Sequence, residues 1–127
     1  MKQEYNITAM EQYLFEAMDG IGEKTYAGTR ASKESEHFAS FVVVAFPNRV
    51  VDNLGNGNTM CRIDLYAKDL QNGVKNSQSL GQMQSEVYDR LPLTSEHYLI
   101  SNPQVIQRGR DTLGFHCVSI ICNVLIY

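Results

Sequence analysis

The stretch GFHCVSIICNVLIY, from Gly114 to Tyr127, is the most apolar part of the chain, and the fold must be built around it. Its β-branched and aromatic residues predict a strand, which we place at 112–127. Alternate side chains of a strand point to opposite faces of its sheet. One face of this strand is almost purely apolar and suits a core covered by helices: Val118, Ile120, Cys122, Val124 and Ile126.

The opposite face of this strand mixes apolar and polar side chains: Phe115, Cys117, Ser119, Ile121, Asn123, Leu125 and Tyr127. This mixture is too apolar for open water and too polar for a second interior. Exposed patches of this kind usually mark contacts between chains. Two explanations stay open: the face contacts another chain, or it is covered within one chain by residues 29–37 or by the N-terminal segment.

The stretch TMCRIDLYAKD, 59–69, predicts a second strand with the same alternation. Cys61, Ile63, Leu65 and Ala67 form its apolar face, and the other face carries Arg62, Asp64, Tyr66 and Lys68. The run FASFVVVAF, 38–46, predicts a central strand buried on both faces. Further strands are predicted at 24–28 and at 98–108, the latter interrupted at Asn102-Pro103 because proline is poor in a ladder interior.

Two amphipathic helices are predicted. The first begins at a capping box formed by Thr8 and Glu11 and ends near Gly20, and the second runs over 76–91 before Pro92. Strands joined by short polar turns are antiparallel by default, and two helices with one apolar stripe each can cover one face of a sheet. We therefore expect a single α+β domain over 1–127, a two-layer sandwich in which two helices cover one face of a mostly antiparallel sheet of four to five strands.

Composition excludes several classes of function. The net charge of −3 argues against nucleic acid as a ligand, and no run approaches the roughly 20 apolar residues that span a membrane. The three cysteines, Cys61, Cys117 and Cys122, predict buried free thiols rather than a disulfide framework. We expect no catalytic residue, no cofactor and no metal, and hence no enzyme. The alternative is a small α+β ligand-binding or enzymatic domain of unknown substrate.

Several segments taken together resemble one family, the tail terminator and tail completion proteins of long-tailed bacteriophages, including the minor tail protein that ends the lambdoid tail tube. The likeness lies in the order of "TYAG", "FVVVAFP", "CRIDLYAKD", "SQSLGQMQSEVYDRLP" and "VSIICNVLIY" after an N-terminal helix. The resemblance implies a structural protein of the virion, assembled in the bacterial cytoplasm. Family members form rings, commonly hexameric, that end the tail tube and join it to the head.

The resemblance also implies partners for this chain: further copies of itself, the tail tube protein, and a head-completion or neck protein. The predicted subunit interface is the outer sheet face. Its candidate residues are Arg62, Asp64, Tyr66, Phe115, Ile121 and Tyr127.

Overall fold

Strands dominate the fold. A computed structural model describes residues 6–30, 32–53 and 55–127, and it is 44% strand and 26% helix. The strands are β1 (Lys24–Ala27), β2 (Ser40–Ala45), β3 (Val51–Asn53), β4 (Asn56–Lys68), β5 (Leu93–Thr94), β6 (Tyr98–Arg110) and β7 (Phe115–Ile126). The helices are α1 (Ile7–Ala17), α2 (Ser32–Ser35) and α3 (Ser77–Arg90), with a 3-10 turn at Gln71–Gly73.

The seven strands of the described residues form one mixed, curled sheet, half of a barrel. Its order is β1-β2-β4-β7-β6-β5, and β3 pairs with the start of β4 beyond the end of β2. The pair β1 and β2 is parallel, and all other neighbours are antiparallel. The two longest pairings join β7 to β4 and to β6, so the apolar C-terminal stretch lies in the middle of the sheet.

The predicted two-layer sandwich with a mostly antiparallel sheet of four to five strands is therefore wrong. Strands β3 and β5 have only three and two residues, too few for an alternating pattern to be visible in the sequence. The connection between β1 and β2, residues 28–39, is not a tight turn. Parallel strands need a crossover of about a dozen residues, and this segment provides it.

The curl of the sheet has a local cause in β6. The register between β6 and β7 shifts between Ser101 and Gln104 and again between Gln107 and Gly109. Such bulges bend a strand and increase its twist. Asn102 takes a left-handed backbone conformation, with φ of 57°, at the first bulge. The predicted interruption at Asn102-Pro103 is thus a bulge inside one continuous strand.

Helices α1 and α3 pack on one face of the sheet, which we call the inner face. Its core joins the helices to the apolar faces of β4 and β7, as their alternation predicts, and includes Leu14, Met83, Ile63 and Ile120. Helix α1 begins at Asn6, whose Oδ1 accepts the amide of Ala9 at 3.0 Å. The predicted capping box of Thr8 and Glu11 is therefore wrong by two residues, although the apolar stripe of the helix is confirmed.

Replacing Ile120 with Asp should abolish folding. The side chain of Ile120 is fully buried beneath the helices, and an unpaired charge there costs at least about 3 kcal/mol. The conservative control Ile120→Val should cost only about 1 kcal/mol. Thermal melts followed by circular dichroism measure both variants, and an unchanged melting temperature of Ile120→Asp would show that this residue is not in the core.

Candidate functional site

The candidate site is the face of the sheet opposite the helices, which we call the outer face. Here β4 and β7 place Arg62 opposite Ile121, Asp64 opposite Ser119, and Tyr66 opposite Cys117. Phe115 begins β7 at one end of this face. Five of the six predicted interface residues thus share one face. The sixth, Tyr127, follows the last residue of β7 at the opposite end, where its side chain is 47% exposed.

Aromatic rings fill the end of the outer face that contains Phe115. The ring of Tyr66 stacks on Phe41 with centroids 4.6 Å apart, and Phe115 meets Phe41 edge-on at 5.2 Å. We call Tyr26, Phe41, Val43 and Phe115, with the adjoining Phe38 and Tyr66, the aromatic cluster. Phe41 and Phe115 are fully buried, so this end is a second small core.

The guanidinium of Arg30 covers the aromatic cluster. Its Cζ lies 4.7 Å from the ring centroid of Phe41, 5.0 Å from that of Tyr66 and 5.3 Å from that of Phe115, within the range of cation–π attraction. Its Nη1 donates to Asp111 Oδ2 at 2.7 Å, and its Nε donates to Ser35 at 3.0 Å. Arg30 therefore fastens the crossover between β1 and β2 to the turn before β7.

The two explanations of the mixed face apply to different parts of it: cover within the chain is observed at one end, and contact with another chain stays a prediction for the other. The crossover covers the Phe115 end through Arg30 and Phe38, both of which contact the aromatic cluster. At the other end Ile121 is half-buried, and Met60, on the neighbouring strand, is 36% exposed. The alternative cover, the N-terminal segment, includes residues 1–5, which lie outside the described residues.

The middle of the outer face holds a cleft of about 280 Å³ lined by polar side chains, which we call the arginine cleft. At its floor Asp64 accepts from Ser119 Oγ at 2.6 Å and from Arg62 Nε at 2.9 Å, and Arg108 Nε donates to Ser119 at 3.0 Å. Asp64 and Ser119 are buried, whereas Arg108 is exposed. The buried pair therefore holds two guanidinium groups in place at the surface. The residues that line the arginine cleft are Arg62, Asp64, Tyr66, Arg108, Gly109, Arg110, Asp111, Cys117 and Ser119.

Two protonated groups also line the arginine cleft. Burial, together with the neighbouring Cys117 and Asp64, raises the pKa of Tyr66 to about 12. Burial and the Asp64 carboxylate raise the pKa of Cys117 to about 11. The phenol and the thiol therefore stay neutral near pH 7. A buried neutral thiol is a poor nucleophile, so the raised pKa does not favour a reactive cysteine at Cys117.

Beside the cleft, Asp69 anchors Arg110. The carboxylate is buried, with Oδ1 2.5 Å from His116 Nδ1 and Oδ2 3.0 Å from Arg110 Nε. Gly73, with φ of 73°, allows the guanidinium to lie close, since a Cβ there would be 3.1 Å from Arg110 Nη1. Arg110 is mostly exposed, so this ion pair orients the side chain more than it stabilises the fold.

The open end of the outer face holds a larger groove of about 400 Å³, which we call the distal groove. Its lining combines apolar residues of four strands, β3, β4, β6 and β7, with polar residues of the segment after β2. The lining residues are Asn48, Arg49, Val51, Asn58, Thr59, Met60, Leu99, Ser101, Asn123, Val124 and Leu125. Thr59 Oγ1 bonds the carbonyls of Asn48 and Arg49 and so fixes the rim of the groove.

No group of three or more His, Cys, Asp or Glu side chains in the described part of the chain is arranged to hold a metal ion. No helix within those residues has the length and apolar character to cross a membrane. Cys61, Cys117 and Cys122 are buried free thiols, as predicted. Cys61 and Cys122 lie opposite each other on the inner faces of β4 and β7, and contact between the thiols, with burial, raises the pKa of Cys61.

Comparison of the sequence with models of known protein families and with curated proteins found no match to either.

Sequence reasoning found the outer faces of β4 and β7 but missed the residues that organise them. Arg30 lies in a polar segment that predicts only a loop, and its partner Asp111 is 81 residues away. Arg108 ends the predicted strand at 98–108, and nothing in the sequence pattern indicates that it binds Ser119 in the arginine cleft. For Arg30, the available signal was an arginine in the polar segment just before the aromatic strand predicted at 38–46.

Replacing Arg30 with Ala should destabilise the fold by about 2 kcal/mol, because it removes the cation–π contacts and a hydrogen-bonded ion pair that is mostly buried. Arg30→Lys keeps the charge but loses the planar fork, so its effect should be intermediate. Chemical denaturation measures both. If Arg30→Ala were as stable as the wild type, Arg30 would not stabilise the contact between the crossover and the turn before β7.

The stabilising contribution of Asp111 should depend on pH. Partial burial favours the neutral acid, but the amide of Phe115, the side chain of Arg30 and the amide of Leu113 outweigh it and hold the pKa of Asp111 below its usual 3.8. A lowered pKa in the fold gives stability that is present above pH 4 and is lost as the pH falls through the folded value.

Asp111→Asn should therefore be less stable than the wild type at pH 7, by about 1 kcal/mol, with a smaller difference below about pH 4. Denaturation curves over this pH range test it, with the exposed Asp89→Asn as control. A difference between Asp111→Asn and the wild type that is constant over the whole range would contradict the linkage.

Proposed function

We propose that this chain is a ring-forming assembly subunit of a long-tailed phage or prophage, which terminates the tail tube and joins it to the head. The observation that carries the proposal is the division of the outer face into a covered and an open end. The crossover seals the aromatic cluster, while the sheet continues beyond it with partly exposed apolar side chains.

The open end has the composition of a protein contact. Met60 and Ile106 are 36% and 40% exposed, and half-buried Ile121 lies on the strand between them. Arg62 and Arg108 flank these side chains. An apolar centre beside arginines is typical of interface cores, which are enriched in aromatic residues, Met and Arg. The resemblance of the segment order to tail terminator proteins supports the ring and its partners, namely the tail tube protein and a neck or head-completion protein.

A second candidate is supported by the distal groove. Its volume of about 400 Å³ lies within the range of small-ligand pockets, and its apolar floor with a few polar groups suits such a ligand. A ligand-binding domain would bind a small molecule there as a monomer. The two candidates therefore differ in the oligomeric state of the working protein.

The purified protein should associate with itself at high concentration or on addition of a tail tube protein. Ile121→Asp should prevent this association and leave the fold intact, because the residue lies away from the helix-covered core. Tyr127→Ala should weaken association and leave the melting temperature unchanged. Light scattering behind a sizing column and circular dichroism melts separate the two effects.

Leu70→Asp is the matched control, since Leu70 is an exposed apolar residue after the covered end of β4. It should associate like the wild type. A wild type that stays monomeric with and without the tube protein would overturn the proposed function. Loss of fold in both Ile121→Asp and Tyr127→Ala would instead place the open end inside the subunit core.

A further inference from the structure

The arginine cleft contains acceptors that are already used. Of the two carboxylates that line it, Asp64 accepts from Ser119 on Oδ1 and from Arg62 on Oδ2. Asp111 accepts the amides of Leu113 and Phe115 on Oδ1 and the guanidinium of Arg30 on Oδ2. Each carboxylate oxygen in the cleft therefore has a donor from within the chain.

The donors of the cleft are largely unused. Arg62 and Arg108 each contribute only Nε to the Asp64–Ser119 pair, and their Nη groups have no hydrogen-bond partner among the described residues. The Nε contacts hold both guanidinium groups at the wall of the cleft. A planar fork with free Nη groups binds carboxylate oxygens through two parallel hydrogen bonds. The Nη groups of the cleft can thus bind a negatively charged acceptor from outside the chain.

Carboxylates occur near the ends of the two helices that cover the inner face. Glu16 and Asp19 lie at the C-terminal end of α1, and Glu86 and Asp89 lie at the C-terminal end of α3. We call these four residues the acidic patch. Arg90 joins the two ends, since its Nη1 donates to the carbonyls of Ala17 and Asp19.

Arg90 is a cation at the acidic patch, and its Nη1 binds backbone carbonyls rather than the four carboxylates. None of its four side chains forms an ion pair within residues 6–30, 32–53 and 55–127. Like charges held together in this way are unfavourable in an isolated subunit and are relieved by a cationic surface.

We propose that the acidic patch of one copy of this chain binds the arginine cleft of the next copy. The inference rests on the proposed function as a ring-forming subunit, and it identifies the contacting surfaces. The helices pack on the inner face and the cleft opens on the outer face, so a copy can use both surfaces at once. Such a contact is heterologous, and repeated copies close into a ring or extend as a filament, depending on the rotation between neighbours.

The first test reverses one charge of the cleft. Arg108→Glu should weaken self-association at least tenfold, and the neutral Arg108→Gln should have a smaller effect. Because Arg108 is exposed, we expect both variants to fold. Lys33→Glu, an exposed cation on α2, makes the same change in net charge and should associate like the wild type. Sedimentation equilibrium measures the constants, and circular dichroism checks the fold of each variant.

The second test mixes two defective variants. The first is Arg108→Glu, which keeps its acidic patch. The second carries Glu16→Gln, Asp19→Asn, Glu86→Gln and Asp89→Asn and keeps its cleft. Each should be monomeric alone. At a concentration at which the wild type associates, their mixture should form a one-to-one dimer and no larger species, since the remaining cleft and the remaining patch of the pair are both disabled.

Salt provides an independent measure of the contact. Raising the salt from about 0.1 M to about 1 M shortens the Debye length from about 10 Å to about 3 Å and should weaken the wild-type association. The Arg108→Gln association should respond less to this change. Folded Arg108→Glu and Arg108→Gln that both assemble as well as the wild type would overturn this contact and leave the proposed function standing.

The remaining outcomes are equally decisive. A mixture of the two defective variants that stays monomeric would exclude the acidic patch as the partner of the cleft. A wild type that never associates, with or without the tube protein, would overturn the proposed function and this contact together. The contact would be established by two results together. The two defective variants form a one-to-one dimer when mixed, and the wild-type association weakens as salt is added.

Discussion

The antiparallel pairing of β4 with β7 is the constraint on which the rest of the structure depends. Its register runs without a shift from Gly57 opposite Ile126 to Lys68 opposite Phe115. Because side chains alternate, this register sends Ile63 and Ile120 to the helices and Asp64 and Ser119 to the outer face. A slip of one residue would exchange the faces and bury the charges of Arg62 and Asp64 beneath the helices. The core and the arginine cleft are thus two consequences of one register.

The covered end of the outer face follows from the parallel pairing of β1 with β2. After β1, the chain must return to the end of the sheet at which β1 begins before it can enter β2 in the same direction. In this protein the return passes the outer face, which brings Arg30 over Phe41, Tyr66 and Phe115. The crossover therefore satisfies the topology and closes the aromatic cluster in a single segment. It leaves the other end of the sheet open.

The sequence was sufficient to predict the helices and strands in which apolar residues recur at a regular spacing. The alternation of β4 and β7, the apolar stripes of α1 and α3, and the shared outer face of Arg62, Asp64 and Ile121 follow from counting residues. It was not sufficient for the topology. The direction of β1 depends on where the crossover runs, and this is fixed by contacts such as Arg30 with Asp111 that are distant in sequence.

The arginine cleft shows a second limit of sequence-based prediction, the assignment of side chains to sheet faces by alternation along a strand. In β6, Leu99 and Ser101 lie opposite Leu125 and Asn123, so regular alternation would place residues 103, 105 and 107 on the outer face. The bulge between Ser101 and Gln104 reverses the alternation, and Ile106 comes to lie opposite Ser119 instead. Arg108 therefore reaches Ser119 only because of the bulge. A period of two identifies a strand, but each bulge along it has to be known before its faces can be assigned.

A contact between the acidic patch and the arginine cleft would set the orientation of neighbouring copies but would contribute little binding free energy. Charges at an exposed rim are screened beyond about 8 Å at physiological salt, and pairs of this kind contribute about 1 kcal/mol or less each. The apolar centre around Ile121 is small. A single such interface between two copies is weak, whereas a ring links every copy to two neighbours, and a tube that presents several copies side by side raises their effective concentration. Weak heterologous contacts of one polarity would therefore keep free subunits apart and let them join where a template gathers them.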